Sequence, residues 1–119
     1  MINLISIDYQ SRVPIYEQIV KEVEKYIALG ILKPKDQILS IRELASSLGI
    51  NPNTVRKSYE RLESLGIITT ISTKGTFVAD SSSIAIDNKI QDSVLKIKEI
   101  IKELEALGIT KEEIIKKIK

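Results

Sequence analysis

The seven residues from Asn51 to Lys57 carry five hydrogen-bonding or cationic side chains, Asn51, Asn53, Thr54, Arg56 and Lys57, and no carboxylate. Placed on a helix whose apolar stripe is Val55, Tyr59 and Leu62, the last four point away from the core. Their chemistry suits a nucleic-acid duplex. Asn can pair with adenine, Arg with guanine or a phosphate, and the Thr methyl can meet a thymine methyl. A helix N-terminus also attracts phosphate. A merely solvated face would place acids in that first turn, where the helix dipole favours them. Here the first acid waits until Glu60.

Other chemistries have little to work with. The chain of 119 residues has no Cys and no His. That removes thiol nucleophiles, zinc–thiolate sites, disulfides and the commonest general base. No carboxylate pair suggests a pocket, so no enzyme activity, cofactor or metal site is expected. Aromatics are only 4%, too few for a base-stacking platform. The net charge is +2, and residues 1–80 and 81–119 each contribute +1 (10 basic against 9 acidic, then 8 against 7). A basic patch must therefore come from folding. The N-terminus lacks a basic, apolar leader, and nothing approaches 18 uninterrupted apolar residues, so the expectation is a cytoplasmic protein without a membrane span.

The elements that must position Asn51–Lys57 can be read outward from it. Asn51-Pro52 is a helix start, Asn as cap and Pro in the first turn. Val55, Tyr59, Leu62 and Leu65 then recur at helical spacing until Gly66. Before it, Ser40 and Glu43 form a capping box for a two-turn helix over 41–48, closed by Gly49. Two capped helices joined by Gly49-Ile50-Asn51 make a helix-turn-helix signature. A longer helix over about 14–29 precedes them, opening at Pro14 and ending at Gly30, with the turn Lys33–Asp36 and the extended pair Ile38-Leu39 between. Residues 1–13, with Ile2, Leu4, Ile5 and Ile7, read as an extended arm. After Gly66, the runs Ile67–Ile71 and Thr76–Ala79 flank Ser72-Thr73-Lys74-Gly75 as a hairpin. The fold expected is mainly α with a small β-hairpin, a winged helix-turn-helix over 1–80.

Asp80–Ser83 reads as a linker. Beyond it, Ile90, Val94, Ile97, Ile101 and Leu104 step by 4, 3, 4 and 3, a heptad seam. A second capping box, Thr110 with Glu113, opens a short helix carrying Ile114, Ile115 and Ile118. Two helices of this length cannot bury so much apolar surface between themselves. With a linker before them, a second copy is the expected cover. Residues 81–119 are thus a two-helix C-terminal dimerisation tail, pairing parallel or antiparallel.

Several segments resemble one family in order and spacing. They are Pro14–Ile19, Gly30–Pro34, Ser40–Ala45, Asn51–Arg56, Leu65–Ile67 and Lys74–Val78, and together they are similar to the N-terminal domain of GntR-type bacterial transcription regulators. The short tail resembles the YtrA-like branch of that family. The resemblance implies a sequence-specific regulator, a repressor, that binds a palindromic double-stranded DNA operator as a homodimer. It implies Arg42 at the DNA backbone or groove edge, Asn51, Asn53, Thr54 and Arg56 at the major groove, and Thr73, Lys74 and Gly75 as a wing at the minor groove or its phosphates. Lys57 steers phosphate, and Arg42 could instead pair with a nearby acid. The sequence departs from the family pattern in four places. Lys35 replaces Gly, Leu39-Ser40 lacks the intervening Pro, Pro52 stands where a base-reading Arg is usual, and Thr73 replaces the first wing Gly. The alternative function is a winged-helix protein–protein adaptor, which would show no salt-dependent binding to duplex DNA. No small-molecule effector is implied by the residues.

Overall fold

The computed structural model describes residues 5–119 of the chain. The elements in order are α1 (Ile15–Ala28), β1 (Gln37–Ile38), α2 (Ile41–Leu48), α3 (Pro52–Ser64), β2 (Ile68–Ile71), β3 (Gly75–Val78), α4 (Ser82–Ala106) and α5 (Lys111–Ile118). They fall into two compact units, Met1–Ile86 and Asp87–Lys119. Among the described residues, no helix is long and apolar enough to cross a membrane.

The core of the first unit forms where the apolar faces of α1, α2 and α3 meet. Ile19, Val23, Leu44, Val55 and Leu62 interlock there, and Ile67, Ile68 and Val78 close it from the sheet side. Polar groups fix the packing angles. The buried Ser58 hydroxyl of α3 lies within hydrogen-bond reach of the Tyr16 carbonyl of α1 (3.0 Å) and of Thr54 O (3.1 Å). The Tyr59 hydroxyl donates to Leu39 O at 2.7 Å, which ties α3 to the chain entering α2, and burial pushes that hydroxyl's pKa up. The extended arm is only partly open to comparison. Ile2 and Leu4 lie outside the described residues; 5–8 belong to no regular element and 9–13 form a turn and a bend. The Gln18 amide holds this segment by donating to Asp8 O and Val13 O, and the Tyr9 hydroxyl donates to Leu48 O at 2.7 Å.

The hairpin β2–β3 is present, and β1 joins it to make a three-stranded antiparallel sheet in the order β1-β3-β2. Gln37 lies opposite Phe77, and Thr70 opposite Thr76. The turn into β1 places Lys35 at φ 75, the left-handed region that favours Gly.

Of the stretch read as a linker, Asp80 and Ser81 form a turn, and Ser82 and Ser83 already belong to α4. Ser82 is 0% exposed, its N–H donates to Ala79 O, and the Ser81 hydroxyl donates to Gly66 O at 2.7 Å. Ile86, one turn on, belongs to the core of the first unit. Serine populates helix starts as readily as linkers, and only the tertiary contact separates the two. In the second unit, Thr110 caps α5 by accepting from the Glu113 N–H (3.2 Å). The other half of that motif differs from a capping box, since the Thr110 hydroxyl rather than its backbone N–H lies on Glu113 Oε1.

Candidate nucleic-acid interface

The turn between α2 and α3 is built from local rules. The capping box is complete: Glu43 N–H donates to Ser40 Oγ (3.1 Å) and Ser40 N–H to Glu43 Oε1 (3.0 Å). Hydrogen bonding to the carboxylate from the Ser40 backbone N–H, and then from the Ser40 side chain, holds the Glu43 carboxyl below its ordinary pKa. Gly49 ends α2 in the left-handed conformation (φ 67), where its N–H returns to Ser46 O and Ile50 N–H to Ala45 O. Asn51 Oδ1 then accepts from Asn53 N–H at 2.8 Å and starts α3 at Pro52. α3 has no acid in its first turn to offset its positive end.

One open groove collects side chains from three elements. Ser40, Ile41 and Arg42 supply its α2 wall, Pro52 and Arg56 its α3 wall, and Thr70–Thr76 its wing wall. Of the expected site residues it brings together Arg42, Arg56, Thr73, Lys74 and Gly75. Among the described residues, Arg42 has no ion-pair partner. Asn51, Asn53, Thr54 and Lys57 do not line this groove. Asn51 and Asn53 are exposed, Asn51 with its oxygen committed to the cap. Lys57 turns the other way, its Nζ 3.9 Å from the centre of the Tyr16 ring on α1, a cation–π contact.

The wing tip has a support that sequence reasoning missed. Gln37 Nε2 donates to Lys74 O at 3.2 Å, bridging β1 to the tip. Gly75 sits at φ 122, and a Cβ there would lie 2.6 Å from Gln37 Nε2. The backbone conformation is what favours glycine here, and a Cβ would in addition push the Gln37 amide aside from Lys74 O. Thr73 takes φ 67, an uncommon conformation for a β-branched residue. The Gln37 contact joins residues 37 positions apart, so no local pattern signals it; an isolated polar residue in a two-residue strand is the sole cue.

In the second unit, α4 and α5 wall an apolar cleft of about 290 Å³ lined by Ile97, Ile100, Ile101, Leu104, Lys111, Ile114, Ile115 and Ile118. Ile114 is buried in it. Ile90, Val94, Ile97, Ile115 and Ile118 remain exposed, and Ile101 and Leu104 are half-buried.

Residues 15–78 match the family described as bacterial regulatory proteins, gntR family. The chain is 40% identical over 101 residues to the HTH-type transcriptional repressor YtrA of Bacillus subtilis (strain 168), covering 85% of this chain and 75% of that protein. A transcriptional regulator from Oenococcus oeni superposes with a TM-score of 0.74 at 32% identity, over 95% of this chain and 94% of that one. The structure of AraR(DBD) in complex with operator ORE1 matches at a TM-score of 0.54 and 30% identity, over 62% of this chain and 90% of that one. A winged helix-turn-helix carrying a short helical tail, and matched along nearly its whole length by proteins of the same build, places this chain in the GntR family of bacterial regulatory proteins, in its short YtrA-like branch.

Proposed function

We propose that the protein is a sequence-specific repressor of transcription that grips a palindromic DNA operator as a homodimer. Residues 1–80 bind the DNA and residues 81–119 pair two copies. The observation that carries this reading is the shared groove, in which Arg42, Arg56 and Lys74 from α2, α3 and the wing converge beside an acid-free helix N-terminus. In a helix-turn-helix the second helix enters the major groove by its N-terminal end. Asn53, Thr54 and Arg56 then lie at the major groove, Asn51 holds the start of the helix there, and Arg42 meets the backbone at its edge. Thr73, Lys74 and Gly75 reach the minor groove or its phosphates, and Lys57 adds positive potential from the α1 side. Support for the DNA partner comes from AraR(DBD), a relative of the same fold seen on an operator. The name of YtrA of Bacillus subtilis supports repression.

Pairing through the tail is supported by the exposed apolar side chains Ile90, Val94, Ile97, Ile115 and Ile118 and by the cleft that holds Ile101, Leu104 and Ile114. A two-fold dimer places two α3 helices about one DNA turn apart, roughly 34 Å, to suit a palindrome.

The test is duplex binding against salt. Affinity is expected to fall log-linearly with salt, with a slope of about −0.9 per phosphate neutralised. Lys74→Glu is expected to shrink that slope by about one or more phosphates. Binding to duplex DNA that ignores salt, or none at all, would contradict the reading and favour an adaptor.

A further inference from the structure

We propose that Asn53 acts through Arg56: its carboxamide oxygen holds the guanidinium in the pose that reads a guanine, so Asn53 is a positioning residue for base recognition and not itself a base reader. This rests on α3 lying in the major groove. Arg56 Nη1 donates to Asn53 Oδ1 at 2.7 Å, a short bond between neighbouring turns of one exposed helix face.

The surroundings of the pair fit such a role. The backbone of Asn53 is fixed from below, because its N–H is held by Asn51 Oδ1 (2.8 Å) and Pro52 precedes it in the first turn. No acid in that turn competes for the guanidinium. Arg56 lines the groove and Asn53 does not. Reading adenine needs the Asn carboxamide to accept and donate at once along the base edge, and here one lone pair of its oxygen is already given to Arg56, which ties the orientation of the carboxamide to the guanidinium. A guanidinium has five N–H donors in a rigid fork. One donated to Asn53 leaves enough for the two acceptors of a guanine edge. The holder is neutral, so the positive charge of Arg56 is kept for DNA, whereas an acid at this place would cancel it. A free Arg side chain has several rotatable bonds to immobilise on binding, and holding it beforehand lowers that cost.

The probe is a duplex selected by the wild-type chain from a random pool, together with its single-base-pair variants. Binding to this panel is measured for wild type, Asn53→Ala, Arg56→Ala and the double variant. Arg56→Ala is expected to lose discrimination at one G·C pair by about tenfold or more. Asn53→Ala is expected to lose discrimination at that same pair, by less, and to add nothing in the double variant. Asn53→Asp keeps the accepting oxygen. It is expected to restore the preference ratio at that pair while weakening all duplexes alike through its charge. Loss of discrimination at a different base pair, additive with Arg56→Ala, would overturn the proposal and make Asn53 a base reader. An unchanged preference in Asn53→Ala, or a loss in Asn53→Asp equal to that in Asn53→Ala, would overturn it too. A wild-type chain that selects no consensus contradicts the reading of α3 itself, an outcome distinct from any of these.

Discussion

α3 and α4 are both amphipathic, yet only one of them is finished within its own chain. In α3, Val55 and Leu62 are fully buried, and even the polar Ser58 is inside with its hydroxyl bonded. In α4, the first turn is anchored by Ser82 and Ile86, but most of the apolar residues beyond remain in the open, with Ile97 56% exposed. The difference teaches what each helix is for. α3 uses its apolar stripe to fix a polar face toward an outside partner. α4 from Ile90 on presents an apolar stripe to the outside, which suits a partner that excludes water.

The contrast can be broken by truncating one residue in each helix. Leu62→Ala should cost about 2–5 kcal/mol, because it deletes a fully buried side chain and leaves a cavity. Ile97→Ala should cost far less in dilute protein, where that side chain is already half in water. Denaturant unfolding at low concentration checks both; equal losses would mean that α4 is as finished as α3.

Next in size is the pair Ile97→Glu with Ile101→Glu. The winged unit should keep its far-UV spectrum and its melting transition. Affinity for a full operator should drop about a hundredfold or more, because the second half-site is no longer held at high effective concentration. Retained affinity in a chain with two charges on that face would remove the functional side of the contrast.

Two smaller changes sharpen the picture of the winged unit. Lys35→Gly places glycine at a left-handed φ and should stabilise by roughly 0.5 kcal/mol, the relief of backbone strain being partly offset by a freer unfolded chain. Thermal melting of the two proteins gives the sign. The smallest effect belongs to Glu43. Its pKa is lowered in the folded chain by the Ser40 backbone and side-chain bonds. Its contribution is therefore complete above the ordinary carboxylate range and is lost as pH falls through the lowered value. Wild type should exceed Glu43→Gln in stability at neutral pH, and the gap should close in acid; a gap that widened in acid would contradict the capping geometry.

Much of this was legible in the sequence because it follows local rules. Pro14 and Gly30 bracket α1, Ser40 with Glu43 opens α2, and Asn51-Pro52 opens α3, all within a few residues of chain. What was not legible depends on contacts distant in sequence. A short extended pair is expected at Ile38-Leu39, but its place one residue earlier and its pairing with β3 across about 40 positions are not. Three serines in a row look like a linker until Gly66 accepts from Ser81. The site divides in the same way. Of the side chains that line one groove, Arg56 is singled out by residue type on the helix face, and Arg42 and Lys74 through the family resemblance. The latch of Gln37 on the wing and the turning of Lys57 toward Tyr16 depend on where distant elements come to rest.

Sedimentation of the wild-type chain, alone and on its selected duplex, tests the central claim most directly. The account predicts a dimer at micromolar concentration and two chains per duplex, on half-sites whose centres lie about one DNA turn apart. A monomer that remains a monomer on DNA, seated on a single half-site, would contradict it.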